Sequence, residues 1–74
     1  MQFFVIPDSL NRKGDLVTGT LGDMDGKPLF YYDKPIIFTF DLATMADIMI
    51  PESLEPLYPF IEDAVLRYFK NSRQ

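Results

Sequence analysis

The chain has no cysteine and no histidine, yet seven phenylalanines and four tyrosines stand among its 74 residues. A chain this short buries only about 60–65% of the surface its unfolded form exposes. Small domains often add disulfides or zinc to compensate. Neither is open to a chain without thiols or imidazoles. The stability must come from an aromatic-rich core, from self-association or from a permanent partner. The same absence removes the side chains most used for nucleophilic attack, proton transfer near neutral pH and transition-metal binding.

The apolar fraction of 47% and the charged fraction of 24% are those of an ordinary folded domain, so disorder is not expected. The length allows one domain, residues 1–74. A formal net charge of −4 disfavours nucleic acid, whose phosphates call for clustered lysine and arginine. It equally disfavours anionic membrane surfaces. No apolar run approaches the ~18 residues of a membrane span. Met1 to Pro7 lacks the basic and long apolar regions of a signal peptide. The expectation is a soluble, cytoplasmic protein.

The chain changes character near residue 41. Before it, short β-rich runs alternate with Gly, Asp and Pro; after it the pattern turns helical. Strands first and helices last read as α+β. The strand candidates are Gln2 to Ile6, Asp15 to Leu21, Pro28 to Tyr32 and Ile36 to Phe40. Asp8 to Gly14 reads as a polar loop. In the second run Leu16, Thr18 and Thr20 share one face; Val17, Gly19 and Leu21 share the other. Gly19 weakens that strand or marks a bulge.

Gly22 to Gly26 is a turn, and residues 15–32 are expected to form a hairpin across it. Asp33-Lys34-Pro35 is a tighter turn. Ile36, Phe38 and Phe40 form the clearest core face. The expected sheet is an antiparallel meander of three or four strands.

Asp41 can cap a short helix over Leu42 to Met49, where Leu42, Met45, Ile48 and Met49 fall at helical spacing. A longer amphipathic helix is expected to begin near Pro56 or Pro59 and to pack on the sheet. Leu57, Ile61, Ala64, Val65 and Tyr68 make its apolar stripe. Asp63 and Arg67 are its available i,i+4 ion pair. Leu66 and Phe69 lie off the stripe, either as a second contact surface or as isolated surface hydrophobes.

No motif carries chemistry. An EF-hand register ending its acidic run at Gly26 would place Leu21 and Tyr32 where ligands belong, so Asp23-Met24-Asp25-Gly26 reads as a hairpin turn. No P-loop and no Gly-x-Ser-x-Gly occurs. Paired carboxylates among Asp23, Asp25, Asp33, Asp41, Asp47, Glu62 and Asp63 are the one remaining chemical option, and a 74-residue domain has little room for a cleft to gather them. Arg12, Lys13, Arg67, Lys70 and Arg73 read as solvated cations.

Phe30-Tyr31-Tyr32 puts large rings on both faces of one strand. Tyr31 or Tyr32 then covers the sheet or docks a protein, where tyrosine is enriched. Size, acidity and the lack of catalytic residues resemble, in style and through no motif, small accessory proteins of phages and mobile elements that inhibit host factors. The leading expectation is a non-enzymatic module, accessory or inhibitory, that binds a protein partner and self-associates; no cofactor is called for. Its candidate contact residues are Tyr31, Tyr32, Leu66 and Phe69. Two alternatives stand beside it: an acidic decoy that occupies the nucleic-acid site of an enzyme, and a carboxylate-based metal binder or small enzyme.

Overall fold

The computed structural model describes residues 2–71 as an antiparallel sheet with a C-terminal helix packed on one face. The strands are β1 (Phe4–Val5), β2 (Asn11–Lys13), β3 (Leu16–Gly22), β4 (Phe30–Tyr31), β5 (Lys34–Pro35), β6 (Ile37–Asp41) and β7 (Ile48–Met49). A 3-10 helix, Glu52–Leu57, leads into α1 (Tyr58–Asn71). Arg73 lies outside the described residues.

The order across the sheet is β1-β3-β6-β7, with β2 also pairing β3. β1 meets β3 at Leu21 and Gly22, and β2 meets it at Leu16 to Thr18. The two therefore form one interrupted edge. The α+β class, an antiparallel sheet followed by a C-terminal helix packed on it, matches the sequence reading; the sheet has five strands where three or four were expected.

The interruption explains why part of the polar 8–14 segment is strand rather than loop. Pro7–Ser9 forms a 3-10 turn that lifts the chain off β3. The Ser9 hydroxyl fills the gap: it accepts from the Thr20 N–H at 2.8 Å and donates to the Ile6 carbonyl at 2.6 Å. The chain then returns to β3 as β2. Gly14, with φ +61°, opens the two-residue turn that joins them.

β3 alternates as its pattern predicts. Val17, Gly19 and Leu21 are buried, and Leu16, Thr18 and Thr20 face outward. Gly19 marks no bulge; its register with Phe38 is continuous. A Cβ there would stand 2.7 Å from Leu10 Cδ2 and 3.0 Å from the Phe38 ring, so glycine lets these two side chains pack directly on the strand. Ile36, Phe38 and Phe40 are buried on the same side.

The expected hairpin over 15–32 does not form. Only Pro28 bridges to Gly22, and β3 takes β6 as its partner. β4 pairs instead with β5 in a separate two-stranded ribbon.

The expected helix over Leu42 to Met49 is a single turn followed by β7. Asp41 does begin a helical turn: its carboxylate accepts from the Ala43 N–H and its carbonyl from the Met45 N–H, both at 2.9 Å. Met45 then adopts φ +56°, which ends it. The Thr44 hydroxyl takes the N–H groups of Ala46 and Asp47. The Asp41 N–H pairs with the Asp47 carbonyl, and the chain runs back along β6. Local side-chain bonds from Asp and Thr outcompete a short helix here.

α1 buries Ile61, Ala64 and Val65 against the sheet, with Leu54 and Leu57 from the preceding 3-10 helix. Thirteen apolar residues make the core, and no polar residue among those described is buried. The helix lies on one face only. On the other, Thr18 and Thr39 share a hydroxyl contact at 3.3 Å, flanked by exposed Leu16 and Met49.

Candidate functional site

The β4–β5 ribbon carries the two most exposed aromatic rings among the described residues. Phe30 is 63% exposed and Tyr32 is 84% exposed. Its base is fastened to the sheet. The Leu29 N–H donates to the Leu21 carbonyl at 3.1 Å, the Leu21 N–H to the Ile36 carbonyl at 2.8 Å, and the Ile36 N–H to the Leu29 carbonyl at 3.2 Å. Beyond that anchor, Phe30 pairs with Pro35 and Tyr31 with Lys34. Pro35 has no N–H to offer a neighbouring strand, which protects the ribbon's edge.

Tyr32 and Asp33 form the connecting turn, with φ of +51° and +64°. Two consecutive positive φ values define a type I′ turn, for which Asn-Gly is the favoured pair. Aspartate tolerates this region; a tyrosine there is strained. Tyr32 gains back an edge-to-face contact with Tyr31, with centroids 4.6 Å apart and planes at 70°.

The adjoining 23–27 turn is self-sufficient. Asp23 Oδ1 accepts from the N–H groups of Asp25 at 2.9 Å and Lys27 at 3.0 Å, and Gly26 adopts φ +83°. The Asp23 carboxylate is thus engaged in shaping the loop. No group of three or more Asp or Glu side chains converges as a cation site among the described residues.

The candidate contact residues separate into two environments. Tyr32 is fully presented, whereas Tyr31 is half-buried and packs against the core. Phe30 takes the outward position that the ring-rich strand left open, because β4 lies off the main sheet and its alternation is set by β5. No sequence signal marked this position: Tyr32-Asp33 is not a favoured type I′ pair, and β3 was the expected partner of the strand.

Leu66 and Phe69 are both half-buried and pack against the core cluster. Phe69 stacks on Phe40 at 4.9 Å and meets Phe38 and Tyr68 edge-on. Leu66 also lines a shallow groove on the outer side of α1 with Pro59, Glu62, Asp63, Arg67 and Lys70. Arg67 is more than a solvated cation. It bonds Asp63 at 2.6 Å, as the i,i+4 spacing predicts, and donates to the Phe3 carbonyl at 2.8 Å.

A second feature lies at the other edge of the sheet. Ile48, Met49, Ile50, Glu55 and Tyr58 line a groove of about 420 Å³ beside β7. The Tyr58 hydroxyl donates to Glu62 at 3.3 Å. Burial raises its pKa above the usual phenol value of 10.0, and the nearby carboxylates of Glu62 and Asp47 push it the same way.

No helix among the described residues is long and apolar enough to cross a membrane. No protein-family model, curated protein or solved structure matches the chain.

Proposed function

We propose that this protein is a non-enzymatic interaction module, accessory or inhibitory in role, that docks a protein partner through the β4–β5 ribbon. The observation that carries this reading is Tyr32: a large ring, 84% exposed, held at a φ of +51° that glycine or asparagine would adopt at lower cost. Strain of this kind clusters at functional positions. Tyr32 and Phe30 are the docking rings, and Tyr31 braces them from below. Exposed aromatics on a preorganised turn suit a hot spot, since little side-chain entropy is lost when they are covered.

The test is affinity capture with the tagged full-length chain from cells that produce it, quantified by mass spectrometry. The native chain enriches a specific protein. The Phe30→Ala/Tyr32→Ala variant recovers it at least about tenfold less, with circular dichroism unchanged. Equal recovery by the two chains, or no specific enrichment by the native chain, overturns the reading.

A further inference from the structure

We propose that the open edge of β7 is a second docking site, taking an extended lysine- or arginine-bearing segment of a partner protein as an added strand. Three independent features converge there. The first is backbone. β7 is the terminal strand of the sheet order, paired only to β6 among the described residues. The Asp41 N–H donates to the Asp47 carbonyl at 3.0 Å while the Asp47 N–H turns to the Thr44 hydroxyl, so one ladder bond flanks the Phe40–Ile48 pair on this side. That pair is then non-hydrogen-bonded, and the N–H and C=O of Ile48 turn away from β6 toward the free edge. An extended chain laid there meets a donor and an acceptor already in strand geometry.

The second is shape. The groove beside this edge is lined by Ile50 and Met49, the latter 51% exposed, by the rim of Ile48, whose residue is only 8% exposed, and by Tyr58 and Glu55. Alternate side chains of an added strand would point into it.

The third is charge. Of the six carboxylates among residues 36–66, Asp63 is paired with Arg67 and Asp41 with the Ala43 N–H, which leaves Asp47, Glu52, Glu55 and Glu62. Asp47 precedes β7, Glu52 and Glu55 follow it, and Glu62 holds the Tyr58 hydroxyl. Asp47 and Glu62 both act on Tyr58, so these charges gather around one wall of the groove. A second copy of this chain would bring its own carboxylates against them. A cationic strand meets complementary charge, and residues alternating apolar and basic satisfy lining and charge together.

The probe is a synthetic peptide of about eight residues alternating valine and lysine, titrated into the isotopically labelled full-length chain. Amide shifts are expected to concentrate at residues 47–50, 55 and 58. A backbone N-methylated copy and a valine–glutamate copy are each expected to bind at least about tenfold more weakly. Glu55→Lys, at an exposed position, weakens binding at least about fivefold with circular dichroism unchanged. Tyr32→Ala leaves it unchanged, so this site and the ribbon stand or fall separately.

Absence of saturable shifts up to millimolar peptide overturns the proposal. So do shifts located elsewhere. Equal binding of the N-methylated peptide would mean that the surface reads charge alone, as a phosphate mimic does, and overturns strand addition. Concentration-dependent shifts at residues 47–50 without peptide would assign the edge to a second copy, and overturn it likewise.

Discussion

The guanidinium of Arg67 donates to the carbonyl of Phe3 at 2.8 Å, joining α1 to the residue that leads into β1 across 64 positions of sequence. It also lies 5.6 Å from the centre of the Phe4 ring. A charged donor on a main-chain acceptor is worth about 1.5–3 kcal/mol, whereas an exposed i,i+4 pair contributes about 0.3–0.5 kcal/mol. Arg67→Ala is therefore expected to lower stability by about 2 kcal/mol, and Asp63→Ala by less than about 0.5 kcal/mol. Urea unfolding of the two variants separates the terms. Equal losses would show that the ion pair, and not the link to β1, holds the helix end.

Ser9 does for the sheet edge what a strand residue would otherwise do. Its hydroxyl accepts from the Thr20 N–H where the chain leaves β3. Ser9→Ala leaves that part-buried donor without its partner, at a cost of about 1–3 kcal/mol. Hydrogen exchange offers the local readout. The Thr20 amide is expected to lose protection first, while the β3–β6 ladder keeps its own.

Phe69 stacks on Phe40 and packs, half-buried, against the core. Its truncation should act on stability. Phe69→Ala is expected to cost about 2–3 kcal/mol, below the range of a fully buried ring. Leu66→Ala removes less contact and is expected to cost about 1 kcal/mol. Thermal unfolding ranks them, and light scattering at several concentrations tests the alternative that the pair forms a self-association surface. A loss of oligomer with unchanged stability would favour that alternative.

These residues show what the sequence could and could not disclose. Ile36, Phe38 and Phe40 were legible because period-two alternation and burial coincide. The stripe from Leu57 to Val65 was legible for the analogous helical reason. Residues 42–49 were not. Leu42, Met45, Ile48 and Met49 satisfy helical spacing, yet the outcome rests on bonds from Asp41 and Thr44 and on pairing with β6, which no local pattern contains. Tyr31 and Tyr32 drew notice as adjacent rings, but which of Phe30, Tyr31 and Tyr32 faces outward depends on β4 pairing with β5. Phe69 looked peripheral from helix angle alone because the sheet extends beneath the edge of the stripe.

Tyr58 links stability to alkaline pH. Burial, then the charge and hydrogen bond of Glu62, raise its pKa in the folded chain above 10.0. Below that pH the phenol is protonated in both states and its contribution is complete. Above it the unfolded chain releases the proton first, so the folded state binds more protons and stability falls as pH rises toward the folded pKa. Tyr58→Phe should remove this slope while costing about 1 kcal/mol near neutrality through the lost hydrogen bond. Urea midpoints measured between about pH 8 and about pH 11 check it. An identical alkaline slope in the variant would assign the dependence to other groups.

Tyr32 sets stability against binding. Its φ of +51° places a bulky L-residue in the left-handed region, at a cost of roughly 1–2 kcal/mol relative to an unstrained backbone. The edge-to-face contact with Tyr31 returns about 0.5–1.5 kcal/mol of that. Glycine or asparagine fits the turn without the ring. Tyr32→Asn is therefore expected to be neutral or to raise stability by up to about 1 kcal/mol, whereas an exposed tyrosine elsewhere would give no such gain. The same substitution should reduce partner capture at least about tenfold. Urea unfolding and capture, run on one preparation, test the two halves together. A variant that is less stable and still captures its partner would show that the ring serves the ribbon's own folding, and that its exposure carries no docking role.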